Sequence, residues 1–300
     1  SIFNGIENED LNVVPAWEEG VSGEGTHIII INDGCQANHS ELKDNFDLSL
    51  SYNYETNSSD PSYDPRQFIT STGTKLATIA AGADNQLCGI GIAYKSNISC
   101  INVISGSAAQ LHYVEGIKRD NNVSKSIRLF TSYSATLSGN IYLSEFDEAE
   151  EESFEGLRPI YVTTVENGAL QVNEDLSYLY FPSNPNILTF SVISQRGGRI
   201  INSLRGNVAL ASVVTGGGDY DSNVALYSAY ISSGDGFGDT CSETIFPINT
   251  GGAMAAGVIS LILSSTNEML QNNDITAIIA LTSVKNDPYS NSWKTNKRGI

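Results

Sequence analysis

The stretch from Ile248 to Leu263, I-N-T-G-G-A-M-A-A-G-V-I-S-L-I-L, sets the terms on which the rest of the chain folds. It opens with small polar residues, passes through Gly251, Gly252, Ala253, Ala255, Ala256 and Gly257, and ends in aliphatics on every side. A helix that is apolar around its whole circumference belongs inside a protein, and one dense in glycine and alanine lets neighbouring backbones come close. Its first turn then opens into a cleft, with unpaired N–H groups and the positive end of the helix dipole directed into it. A nucleophile for acyl transfer would sit there. Position 249 is Asn, and the adjacent hydroxyl of Thr250 has no histidine near it in sequence.

The chain can supply a core around such a helix. Its 300 residues are 40% hydrophobic, enough for one large domain, and no apolar run approaches the roughly 20 residues of a membrane span. Acidic side chains number 34 against 16 basic ones, a formal charge of −18. That surface repels phosphate backbones and anionic lipid, which argues against nucleic acid or a membrane as partner and tolerates calcium or a basic protein.

Apolar runs at His27–Ile31, Ile98–Ile104, Ile127–Thr131, Pro159–Val165, Ile187–Ile193 and Val208–Val214 predict strands buried on both faces, as in a parallel sheet. Helical patterns fall between them, at Lys75–Gly82, Ala108–Lys118 and Ser144–Gly156, followed by the buried helix and a last one over Asp274–Ser283. The acidic run Glu148–Glu152 is a solvated helix face. With no repeat and no linker, residues 1–300 are expected to form one doubly wound α/β domain with its ligand site at the carboxyl ends of the strands.

At those carboxyl ends the residues become specific. The run L-N-V-V-P-A-W-E-E-G-V-S-G-E-G-T-H-I-I-I-I-N-D-G (Leu11–Gly34) is followed by N-H-S-E-L-K-D-N-F-D (Asn38–Asp47). Further on stand T-G-T (Thr72–Thr74), C-G-I-G-I-A-Y (Cys88–Tyr94), E-N-G (Glu166–Gly168), C-S-E-T (Cys241–Thr244), A-M-A-A-G (Ala253–Gly257) and W-K-T-N (Trp293–Asn296). Together, and in this order, they resemble the catalytic domain of the kexin- and furin-type subtilisin-like serine proteases over nearly the whole chain. The resemblance implies a three-layer α/β fold, a mostly parallel sheet with helices on both faces around a central buried helix. The family's downstream β-sandwich domain has no counterpart within residues 1–300.

Carried over position by position, the resemblance places the family's catalytic aspartate at Asn32, its histidine at Thr72 and its serine at Asn249; Asp33 matches the non-catalytic neighbour of the aspartate. All three triad positions are therefore replaced. A neutral hydroxyl is a poor nucleophile unless a base takes its proton, and that base needs a carboxylate to hold its tautomer. The chain has three histidines. His27 enters a buried strand, His39 lies in the N-H-S-E-L turn and His112 lies on a helix, and each reads as structural. Asn167 matches the family's oxyanion-hole asparagine; without a nucleophile it serves either that vestigial role or the loop after a strand. The stretch Tyr133-Ser134-Ala135-Thr136, with Leu137-Ser138-Gly139 after it, matches the substrate-binding strand but carries none of the acidic residues that select basic peptides.

The scaffold is better kept. The resemblance pairs Cys88 with Cys241 as a disulfide and so implies an oxidising, secretory or extracellular setting. Cys35 and Cys100 have no counterparts and, near opposite ends of parallel strands, are expected as free buried thiols. Glu41 and Asn85, with main-chain oxygens around Gly82, Leu87 and Gly89, match the family's structural calcium site; the alternatives are calcium or a solvated loop. Acceptor-like N-x-S triplets at Asn38, Asn57, Asn97 and Asn122 are compatible with secretion but arise by chance in a chain this rich in Asn and Ser. No leader precedes Ser1, which fits a cytosolic chain or a trimmed one, and a start at Ser favours trimming. The expected role is a catalytically inactive relative of a serine endopeptidase, serving as a structural or protein-binding module within a larger assembly. Two alternatives are a peptidase with an unorthodox nucleophile and a regulator that holds a peptide or an active protease without cutting.

Overall fold

The structure is a computed structural model that describes residues 10–62, 71–104, 109–119, 123–131, 159–164, 183–194, 209–215, 226–230, 240–244 and 247–285. Strand β1 (His27–Asn32) shows why the sheet is parallel and doubly covered. Its four consecutive isoleucines are all buried, and the period of two sends them to opposite faces. Ile28 and Ile30 enter one apolar cluster, with residues of helices α2 (Thr72–Ala81), α4 (Pro247–Ser264) and α5 (Asn272–Thr282). Ile29 and Ile31 enter a second cluster, with Tyr113 and Ile117 of α3 (Ala109–Lys118).

Around β1 the strands β2 (Tyr52–Asn53), β3 (Asn97–Asn102), β4 (Ser126–Phe130), β5 (Ile160–Thr164), β6 (Ile187–Ser194) and β7 (Ala211–Thr215) complete a seven-stranded sheet in the order β2-β3-β1-β4-β5-β6-β7. Every pairing in it is parallel. The chain winds outward from β1 to β3 and then returns to lay β4 on the other side, so the crevice of a doubly wound sheet falls at the carboxyl ends of β1 and β4. Strands β8 (Leu226–Tyr230) and β9 (Thr240–Thr244) form a separate antiparallel pair, and a short helix α1 (Val14–Glu18) precedes the sheet.

Helix α4 is the buried centre that its composition demands. From Thr250 to Leu263 only Met254, Val258 and Ile262, one stripe at a spacing of four, escape full burial, and these still pack on the core. Two glycines set its neighbours' distances. A methyl at Gly252 would stand 2.6 Å from a Thr164 carbon and 2.9 Å from a Leu129 carbon, and one at Gly257 would stand 2.7 Å from Ile92. The helix therefore lies directly on β4 and β5 at one point and on the segment after α2 at another. Lys125 closes its far end, donating to the carbonyls of Leu263, at 2.8 Å, and Thr266, where a cation suits both the orphan carbonyls and the dipole.

Both pairs of cysteines among the described residues are joined. Cys88 and Cys241 form a disulfide with Cα atoms 5.2 Å apart, tying the loop after α2 to β9. Cys35 and Cys100 are likewise bonded, Cα atoms 5.8 Å apart, which corrects the expectation of free thiols. The reason lies just beyond β1. Gly34 takes φ of +83°, and the chain turns back so that Asp33 bridges Asn102 in antiparallel sense. Two residues further along that register, Cys35 arrives opposite Cys100, in the buried interior.

Candidate functional site

Asn32 closes β1, and Thr131 follows β4, the adjacent strand. Asn32 is 5% exposed, and its Nδ2 donates to Thr131 Oγ1 at 2.5 Å while its Oδ1 accepts from the Asp33 amide at 2.8 Å. Both ends of this side chain are thus committed, and neither carries a charge. The next residue supplies the carboxylate of the region. Asp33, 5% exposed, accepts from the Thr72 amide at 3.0 Å and from the Gly73 amide at 2.6 Å.

This contact explains where α2 begins. The sequence pattern predicts a helix over Lys75–Gly82, with Thr72–Thr74 before it. The helix instead starts at Thr72, with Asp33 satisfying two of the orphan amides from a distant strand end. Position 72 is therefore brought against the 32–33 corner, at the mouth of the crevice. Lys75, one turn into the same helix, is buried. Burial lowers its ammonium below the ordinary lysine range, and the nearby Asp33 charge pulls in the opposite direction. Sequence reasoning did not single out this lysine, although its place three residues after Thr72 puts it on the same face of α2.

Asn249 stands in the first turn of α4, half-buried, with Thr250 fully buried beside it. Gly252 rests against Leu129 and Thr164 near the carboxyl ends of β4 and β5. The amino end of α4 thus lies at the same edge of the sheet as Asn32 and Thr72. What meets there is a set of amides and hydroxyls with a helix-bound carboxylate beside them, able to donate and accept hydrogen bonds to a polar ligand.

The histidines are engaged elsewhere. His27 Nε2 lies 2.8 Å from Ser99 Oγ, and burial lowers the imidazole to about 4, against a smaller opposing effect from Asp47. His39 bonds the Thr240 carbonyl at 3.1 Å through Nε2 and accepts the Glu41 amide at 3.2 Å through Nδ1. His112 stacks on Tyr54 with centroids 5.0 Å apart. Asn167, the stretch 133–139, the helix expected over 144–156 and Asn122 lie outside the described residues.

The calcium positions cluster in part. Glu41 is fully buried, and its Oε2 lies 3.2 Å from where a methyl on Gly82 would be. The Ala83 amide donates to the Glu41 carbonyl at 2.9 Å. Asn85 donates to the Ser40 carbonyl at 2.8 Å and accepts the Leu87 amide at 3.0 Å, so the 82–89 loop folds over the turn that bears the carboxylate. A buried carboxylate, an amide oxygen and main-chain carbonyls are the hard oxygen donors that calcium takes, and a side chain at Gly82 would crowd them. These residues fit the ion. Leu87 and Gly89 stand on the exposed part of the loop. Among the described residues no group of three or more His, Cys, Asp or Glu could hold a metal, so a site here would rely mainly on neutral oxygens.

Comparison with known proteins shows what the chain is similar to. The subtilase family's model matches residues 23–141. Furin-1 of Xenopus laevis is 26% identical over 302 residues, covering 97% of this chain and 37% of the relative. Furin of Homo sapiens is 25% identical over 309 residues, covering 99% of this chain and 37% of the relative. The chain thus spans little more than a third of the length of these relatives. Among solved structures, the serine protease of Aeromonas sobria in complex with its chaperone superposes with a TM-score of 0.76 at 21% identity, over 93% of this chain and 54% of that one.

Proposed function

We propose that this chain, a subtilisin-like relative of the furin- and kexin-type proteases, is a catalytically inactive member of that group that works as a protein- or peptide-binding module in a secretory or extracellular assembly. The observation that carries the reading is the commitment of Asn32. At the position of the family's aspartate stands an amide with both ends bonded, to Thr131 and to the Asp33 amide. An amide there cannot stabilise an imidazolium, and the three histidines are held by Ser99, Thr240 and Tyr54. The two disulfides support an oxidising compartment. The chaperone bound to the Aeromonas sobria protease is a precedent for a protein partner on this fold. We further propose that calcium, held by Glu41, Asn85 and the oxygens of the 82–89 loop, contributes to stability rather than to chemistry.

The test is a serine-directed fluorophosphonate probe together with fluorogenic peptides carrying basic and neutral residues. The expected result is no labelling and no turnover, for the natural chain and for Asn249→Ser alone, since a hydroxyl without a base stays protonated. Labelling that maps to Thr250 and disappears in Lys75→Met would overturn the reading in favour of an unorthodox peptidase.

A further inference from the structure

The loop that leaves the edge strand β2 presents an acceptor for a carbohydrate. We propose that Asn57, in the triplet Asn57-Ser58-Ser59, is an N-glycosylation site, the one described triplet whose asparagine and serine are both exposed in the folded chain. The inference rests on the secretory setting proposed above.

Asn57 is exposed and takes φ of +54° in a turn that Asn53 and Ser58 close by reciprocal backbone hydrogen bonds of 2.8 and 3.2 Å. Asparagine is among the few non-glycine residues that accept this conformation readily. Its Oδ1 accepts from the hydroxyl of Tyr52. Tyr52 is itself fixed, with the Arg119 guanidinium 3.9 Å over its ring and Tyr54 edge-on at 4.9 Å. Holding the oxygen leaves the amide nitrogen directed away, the atom to which a sugar would be joined. Ser59 is exposed as well, so the asparagine and the serine of the triplet are both accessible in the folded chain.

The other triplets fare differently. In Asn97-Ile98-Ser99 the serine is fully buried, and its hydroxyl donates to the Asp47 carbonyl at 2.7 Å beside His27. In Asn38-His39-Ser40 the central histidine is buried between Thr240 and Glu41, and the Ser40 carbonyl is taken by Asn85. Asn38 and Asn97 are themselves exposed, so what folding withdraws in these two triplets is the serine, wholly at Ser99 and in part at Ser40.

The donor is a lipid-linked oligosaccharide ending in N-acetylglucosamine at its pyrophosphate. The Asn57 Nδ2–H bond breaks, a bond forms from Nδ2 to the anomeric carbon, the lipid pyrophosphate departs, and the amide proton passes to the transferase.

The experiment is secretion of the full chain from eukaryotic cells behind a leader peptide, enzymatic release of N-glycans in heavy-oxygen water, and peptide mass spectrometry, with the disulfides mapped in the same sample. The expected result is heavy-oxygen aspartate at position 57. The corresponding gel shift should be lost in Ser59→Ala and kept in Ser59→Thr, variants that leave the strained position itself untouched. Unmodified Asn57 in a chain whose two disulfides are closed would overturn the inference and leave the secretory reading standing. Modification at Asn38 or Asn97 without Asn57 would overturn it too. Open cysteines in the secreted chain would remove both.

Discussion

The Asp33 carboxylate sits 2.6 Å from the Gly73 amide, and through that contact the end of the first sheet strand is fastened to the first turn of α2. Removing the carboxylate also takes away a negative charge that favours the buried Lys75 ammonium. Asp33→Ala should destabilise the fold by about 3 kcal/mol, the scale of breaking a buried charge arrangement by deleting one member. Equilibrium unfolding in urea measures this, and Lys75→Met added to Asp33→Ala should recover part of the loss. Equal stability of Asp33→Ala and the natural chain would refute the role given to this contact.

The two disulfides span 65 and 153 residues. Loop-closure entropy predicts losses of about 4 kcal/mol for Cys35→Ala with Cys100→Ala, and about 5 kcal/mol for Cys88→Ala with Cys241→Ala. Thermal unfolding of the two double variants should show both well below the natural chain. A Cys35/Cys100 variant that melts with it would show that the bond adds nothing.

His27 makes stability depend on pH in a definite direction. Burial lowers its folded value to about 4 from 6.5, so the unfolded chain takes up the proton first. The contribution is flat above the unfolded value and becomes destabilising as pH falls from 6.5 towards 4, by up to about 1.4 kcal/mol per pH unit. Unfolding midpoints across that interval, for the natural chain and for His27→Gln, should diverge on the acid side. Parallel curves would exclude His27 as the cause.

If calcium occupies the Glu41 loop, chelation should lower the melting temperature, with a stabilisation of about 2.7 kcal/mol at an ion concentration a hundred times its dissociation constant. Glu41→Gln should abolish the difference between chelated and calcium-loaded samples. A chelator without effect on the natural chain would dismiss the site.

Much of the scaffold is legible in the sequence because a strand covered on both faces must carry an uninterrupted apolar run, as Ile28–Ile31 does in β1, and because a helix like α4 has nowhere to go but inward. The parts that escape depend on distant partners. The first turn of α2 is capped by a residue 39 positions earlier, and Cys35 meets Cys100 only because Gly34 reverses the chain. Strands β8 and β9, L-Y-S-A-Y and T-C-S-E-T, are mixed in polarity and pair antiparallel, so the search for buried runs passes over them. The site residues were legible through motif resemblance rather than through any periodicity, and Lys75 was missed because a lone lysine on a helix gives no local sign of burial.

The bond from Asn32 to Thr131 stitches the ends of two adjacent strands with groups that neither gain nor lose a proton in the biological range. A working hydrolase must keep that corner poised and therefore uneasy, at a cost in robustness. In this chain the Asn32–Thr131 pair carries no charge. A guest lodged against these two side chains would meet the same neutral pair in an acidified vesicle as in the open medium, so any acid-driven release would have to act through the neighbouring Asp33 carboxylate, the guest's own chemistry or motion elsewhere in the molecule.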